Sequence, residues 1–266
     1  MSKLLIRPNA PDAEGRIHRI TPESAGWTYV GFELFRLAAG QALTLTVPAG
    51  REACLVIVSG RAEVSAAGTP LGKLGARRSP FEGSPWSVYA PPETRLDILA
   101  DWETELAFCT APGTGALPLR VISPVQVGEE TRGKATNTRY VRNILPEGEP
   151  AESLLVVEVI TPGGHWSSYP SHKHDTDDFP NETYLEETYY HRLERPGFAL
   201  QRVYTDDRSL DETMAVSDRD VVLVPRGYHP VGAPHGYELY YLNVMAGPTR
   251  TWRFHNDPDH EWLMKK

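Results

Sequence analysis

Along most of the chain, apolar and polar positions alternate with a period of two, the spacing that turns one face of a β-strand to a core and the other to water. WTYVGFELFRL, ALTLTV, CLVIV, AEVSA, WSVYA, RLDILA and ELAFCT carry the pattern in the first half. LLVVEVI, ETYYHRL, FALQRVY, DVVLVP and LYYLNVMA carry it in the second. Gly- and Pro-bearing turns separate these runs at short, even intervals, which predicts an all-β sandwich or barrel with few short helices. The stretch 112–150 is polar and turn-rich and reads as a connection between two β units. Within it, TNTRYVRNIL at 136–145 has the pattern of a strand belonging to the second unit.

The two halves repeat one another in order. Val88-Tyr89-Ala90-Pro91 followed by Arg95 matches Val222-Leu223-Val224-Pro225 followed by His229. Each is followed by an apolar strand, LAFCTAPG or YYLNVMAG, at nearly the same offset. A duplicated unit is the expectation, with histidine in one copy where the other has arginine. One barrel would then carry chemistry and the other would be structural.

Composition adds limits. The 266 residues hold 27 Lys and Arg against 35 Asp and Glu, a net charge of −8. That leaves no basic surplus for a nucleic-acid partner. No apolar run approaches the roughly 18–20 residues that span a bilayer, and Arg7 and acids interrupt the N-terminus where a signal peptide needs an apolar stretch. A cytoplasmic location is expected. Cys54 and Cys109 sit in apolar alternating runs and form no CxxC, so they read as buried thiols. Histidine changes the picture: eight of the nine lie between His165 and His260.

Those histidines fall in a pattern. In an extended strand His172 and His174 of SHKHD share a face, with Lys173 opposite. The next alternating run, Glu186-Glu187-Thr188-Tyr189-Tyr190-His191, offers a carboxylate, and Pro225-Arg226-Gly227-Tyr228-His229 presents a further histidine on a turn. Three imidazoles and a carboxylate form a metal site with positions left open for water or substrate.

These residues resemble the two cupin motifs, with departures in spacing. Eleven residues, Asp175 to Leu185, separate the HxH from the acidic pair, where a usual cupin has three or four. The second motif is one residue shorter before its histidine. More specifically, GGHWSSYPSHKHD, LEETYYHR, QRVYTDDRSLDET, VVLVPRGYHPV, YYLNVMAGP and WRFHNDPDHEW resemble the bicupin uronate isomerases, above all the 5-deoxy-glucuronate isomerases of bacterial inositol catabolism. RGKATNTRYVRNIL fits them too, and the likeness extends more loosely through the first half.

The resemblance implies two tandem jelly-roll barrels: residues 1–127, cupin-like and without metal, and residues 128–266, holding metal and active site. It implies His172, His174, Glu187 and His229 as ligands of a divalent ion, Zn or Mn first, then Fe or Ni. Glu187 rather than Glu186 follows from the E-x-Y run of the related pectin-pathway isomerase. Alternation then puts Tyr189 and His191 on the same inward face. The implied reaction converts 5-deoxy-D-glucuronate to 5-dehydro-2-deoxy-D-gluconate through a metal-stabilised enediolate, with Glu187, His191 and Tyr189 as unranked proton carriers. A metal-assisted hydride shift is the other route.

The sugar-acid substrate needs a cation. Arg202 is the first choice, from the matching arginine of the related isomerase, with Arg226 and Arg250 behind it. His165, His235 and His255 read as structural or exposed, and the tail 252–262 as the closure of a sheet edge. Cupin dioxygenases use the same ligand set, and a non-catalytic sugar-binding cupin is the alternative from another class. Membrane and nucleic acid are not expected as partners; a homo-oligomer is left open.

Overall fold

The computed structural model describes residues 2–265. Strands dominate it. The one α-helix among the described residues, Pro22–Ala25, is a single turn started by the Thr21 side chain, which accepts from the Ser24 amide. The expected all-β architecture is present as two compact units.

In one unit a six-stranded sheet runs in the order Arg120–Ile122, Ser87–Ala90, Arg51–Ser59, Thr104–Pro112, Gly31–Leu37, Arg16–Ile20. A four-stranded sheet runs Ala42–Thr46, Arg95–Ala100, Ala62–Ala66, Thr69–Leu74. The alternation read from the sequence fills the space between them: Phe35, Leu55, Ile57, Val64, Leu96, Ile98 and Phe108 are all buried in one cluster. Cys54 and Cys109 are cross-strand neighbours, both buried and free. Burial pushes the Cys54 thiol up to about 12, which keeps it protonated and unreactive.

The other unit repeats the order. Its main sheet runs Leu5–Ile6, Val221–Val224, Glu186–Leu193, Leu239–Ala246, Leu155–Thr161, Arg139–Leu145, Gly128–Arg132. Its second sheet runs Trp166–Ser167, Val231–Gly232, Ala199–Tyr204, Asp211–Val216. Ser87–Ala90 and Val221–Val224, the segments matched by sequence, hold equivalent places. Register extends the comparison: Ala53 pairs with Ala90 as Glu187 pairs with Val224, and Leu55 with Val88 as Tyr189 with Val222. The first unit thus has Ala53, Leu55 and Ile57 in its core where the second has Glu187, Tyr189 and His191. Arg95, at the place of His229, lies outside and pairs with Asp97.

Each of the two units is drawn from separated stretches of the chain. One comprises Met1–Arg7, Glu129–Arg142 and Val157–Lys266, the other Pro8–Gly128 and Asn143–Val156. Two local interactions account for this. Leu5 and Ile6 pair antiparallel with Val222 and Val221. The fully buried Glu52 carboxylate accepts the backbone N–H groups of Glu152, Ser153 and Leu154 at 2.7, 2.6 and 2.6 Å.

Candidate metal centre

Alternation along and just beyond the short strand His172–Lys173 puts His172 and His174 on one side and Lys173 on the other. Lys173 Nζ is held by Asp175 Oδ1 at 2.6 Å and Glu182 Oε2 at 3.2 Å. Glu182 also accepts the amides of Asp175 and Thr176. The long interval after the HxH therefore folds back on itself. It returns Leu185 to His174, whose carbonyl accepts from the Leu185 amide and whose Nδ1 donates to the Leu185 carbonyl, both at 3.0 Å. Two residues later, on the strand Glu186–Leu193, Glu187 enters the site at the end of the eleven-residue interval.

His229 is placed by its turn. Gly227 has φ +89, and a Cβ there would lie 2.4 Å from the Tyr204 carbonyl oxygen, so only glycine fits. The Gly227 amide donates to Asp175 Oδ2 at 2.8 Å, and His229 Nδ1 donates to the Gly227 carbonyl at 2.8 Å.

The consequence is electrostatic. A carbonyl oxygen only accepts, so Nδ1 carries the hydrogen in both His174 and His229, and each Nε2 presents a lone pair. Those lone pairs face a carboxylate: Glu187 Oε2 lies 3.1 Å from His174 Nε2 and 3.2 Å from His229 Nε2. His229 Nε2 is buried and has no hydrogen-bond partner among the described residues. His172 completes the group, the ligand atoms of the three histidines lying within 4.8 Å of one another. Atoms about 2.1 Å from a shared ion are about 3.0 Å apart on an octahedral edge and about 3.4 Å on a tetrahedral one. The donor set fits a divalent cation, which supplies the missing charge.

Protonation agrees. Burial drives His229 down to about 4, and burial with the neighbouring His229 and His174 charges lowers His172 strongly, so both stay neutral as ligands must. Burial opposes a charge on His174 too, but the Glu187 carboxylate outweighs it and raises that residue: a proton is drawn to where a cation belongs.

The sequence model of the KduI/IolB family matches residues 4–263. The chain belongs to the KduI/IolB family. A 5-deoxy-glucuronate isomerase of Geobacillus kaustophilus is 56% identical over 100% of this chain and 96% of its own length. That of Bacillus subtilis strain 168 is 47% identical over the whole of both chains. The crystal structure of an IolB-like protein from Salmonella typhimurium LT2 superposes with a TM-score of 0.95 at 54% identity, over 99% of this chain and 100% of that one. The oxalate decarboxylase of Lactobacillus farciminis shares the fold, with a TM-score of 0.67 at 12% identity over 100% of this chain and 91% of that one. These neighbours share the bicupin fold, and the buried histidine triad is a group that could hold a metal ion.

In this KduI/IolB protein the remaining candidates separate. Tyr189 and His191 share the inward face with Glu187, all fully buried. The Tyr189 hydroxyl is 2.9 Å from Ser168 Oγ, and its ring lies 5.7 Å from that of His229. His191 stacks on Tyr189 at 5.9 Å and meets Gln201 Oε1 through Nε2 at 2.8 Å. Glu186 points the other way, as strand alternation requires.

Arg202 is not brought to the site. Its side chain holds Asp211 through Nε and Nη2 at 2.8 and 2.7 Å, on the face of the strand opposite Gln201. Arg226 and the histidines at 235 and 255 are exposed, and His165 Nδ1 donates to the Thr138 carbonyl. The tail pairs at the expected edge, His172 with Asn256 and Lys173 with His255, and it also lays Phe254 on His172 at 4.7 Å.

Sequence reasoning missed Phe254, Tyr241, Ser168 and Arg139. The period-two reading of LYYLNVMA already puts Tyr241 and Asn243 on one face, opposite His191 and Tyr189 in register.

Proposed function

We propose that the chain is an isomerase that converts 5-deoxy-D-glucuronate to 5-dehydro-2-deoxy-D-gluconate in inositol degradation. The observation that carries this reading is identity of up to 56% with isomerases of that name over the whole chain. The buried donor set supports it. An open-chain aldose becomes a 2-ketose when a proton leaves C2 and one arrives at C1, with negative charge on O1 and O2 between the two steps. A divalent ion held by His172, His174, Glu187 and His229, with Zn or Mn assigned first and Fe or Ni next, supplies Lewis-acid stabilisation of that charge.

The chain's own groups do the rest. Burial and the Glu187 charge hold the Tyr189 phenol well above its usual range, so it is a proton donor at neutral pH and hydrogen-bonds a developing oxyanion. Glu187 turns Oε2 toward two imidazoles, which leaves Oε1 to take the C2 proton and return it to C1. His191, held neutral by burial with a pKa of about 4, backs Tyr189 one ring away, and we assign it to positioning that phenol. Residues 8–128 with 143–156 are assigned a structural role. Neighbouring free thiols suit a reducing cytoplasm, where we place the enzyme.

Proton NMR of 5-deoxy-glucuronate in D2O tests the reading. Loss of the aldehyde signal with one deuteron entering C1 is expected. No conversion with any of the four metals would refute it, and conversion without deuterium would replace the proton shuttle by a hydride shift. Tyr189→Phe is expected to lower kcat by about 100-fold or more while metal content and KM hold. A kcat within a factor of three of the parent would remove Tyr189 from the chemistry.

A further inference from the structure

We infer that Arg139 anchors the carboxylate of the sugar acid, an assignment that rests on the reaction proposed above. Arg139 opens the strand Arg139–Leu145, where it shares the inward face with buried Val141, while Tyr140 between them is 47% exposed. In the sheet, the strands Leu155–Thr161 and Leu239–Ala246 separate it from the strand of Glu187. Its guanidinium donates to the carbonyl of Tyr169, the residue after Ser168, whose Oγ lies 2.9 Å from the Tyr189 hydroxyl.

The guanidinium is seated but not neutralised. Nη1 donates to the carbonyls of Asn137 at 3.1 Å and Tyr169 at 3.3 Å. A Cβ on Gly133 would stand 2.8 Å from that Nη1, so the seat exists because residue 133 is glycine. Among the described residues no carboxylate forms an ion pair with Arg139, and nearby Glu130 is bonded to Arg132 at 2.6 Å. A half-buried cation without a counter-charge is costly, and desolvation lowers its pKa. The donors left over are Nε and Nη2, the edge with which Arg202 grips Asp211. That edge matches a carboxylate in two parallel bonds. A uronate with its aldehyde end at the three histidines would lie along Tyr189 and Tyr241 with its acid end at this edge.

Binding of the borohydride-reduced acid, which cannot isomerise, tests the assignment by calorimetry on the metal-loaded protein. Arg139→Gln should weaken it roughly 30-fold or more, with metal content unchanged. The corresponding neutral alcohol, lacking the carboxylate, should bind parent and variant alike. Unchanged affinity for the acid, or equal losses for acid and alcohol, would overturn the assignment. If the glutamine variant does not fold, Arg139→Lys keeps the charge without the two-pronged edge: an acid-specific loss of several-fold supports the anchor, and none overturns it. A parent that binds the reduced acid through Arg139 yet fails to isomerise 5-deoxy-glucuronate would refute the reaction and leave the anchor standing.

Discussion

His174→Ala is expected to release the metal and abolish turnover while leaving a folded protein. The imidazole contributes one of two lone pairs that face Glu187 Oε2, 3.1 Å away. Without it, the carboxylate and His229 are left to hold an ion with His172 alone. Loss of an outer hydrogen bond to a ligand costs 10–100-fold in affinity, so loss of the ligand should exceed about 100-fold. The fold does not depend on that bond: the strand Glu186–Leu193 stays paired on both sides, with Val221–Val224 and Leu239–Ala246. Elemental analysis after dialysis, with circular dichroism on the same sample, decides the matter. A stoichiometric metal content in the variant would sink the ligand assignment.

Glu52→Ala should destabilise the unit built from residues 8–128 and 143–156 by about 3 kcal/mol or more. Its carboxylate accepts three consecutive backbone amides and, through Oε2, the Tyr89 hydroxyl at 2.6 Å. Leu154 and Tyr89 are themselves fully buried. Truncation strands those donors where water cannot replace the lost acceptor, the expensive side of hydrogen-bond energetics. Glu52→Gln keeps the shape and one acceptor oxygen, which holds two of the four bonds, and should fall between. Denaturant titration measures the difference, and a loss under about 1 kcal/mol would show that the strap at 152–154 holds by other means.

What the sequence disclosed follows from the range of the forces involved. Alternation is local, so the strands were legible, and once the resemblance had picked Glu187 over Glu186 the inward places of Tyr189 and His191 followed from residues two apart. The duplicated order was legible because both copies keep the strand before the Pro turn. Arg202 was taken from the matching arginine of the related isomerase, and the phase of its own strand was not legible. In ALQRVY the polar Gln201 is buried at 1% exposure, bonded to His191, while Leu200 is 38% exposed. Hydrophobicity alone gives that strand the wrong phase. The pairing of Leu5–Ile6 was hidden for another reason: the segment is too short to show periodicity, and its partner lies more than two hundred residues away. Arg139 was visible only as one arginine in a loop-rich stretch, since its significance depends on which strands come between it and Glu187.

The pairing of His172–Lys173 with His255–Asn256 bears on how the protein is made. Synthesis runs from the first residue to the last, and folding can begin on whatever has emerged. Pro8–Val156 contains every residue of one unit, so that unit can fold while the rest is still being translated. The unit with the histidine triad cannot: its edge strand at Leu5–Ile6 must wait for Val221–Val222, and the strand that begins at His172 must wait for residue 256. Completion of the triad's surroundings is thereby deferred until residue 256 has emerged, and a product truncated just before it would contain His172, His174, Glu187 and His229 yet lack the pairing partner of His172.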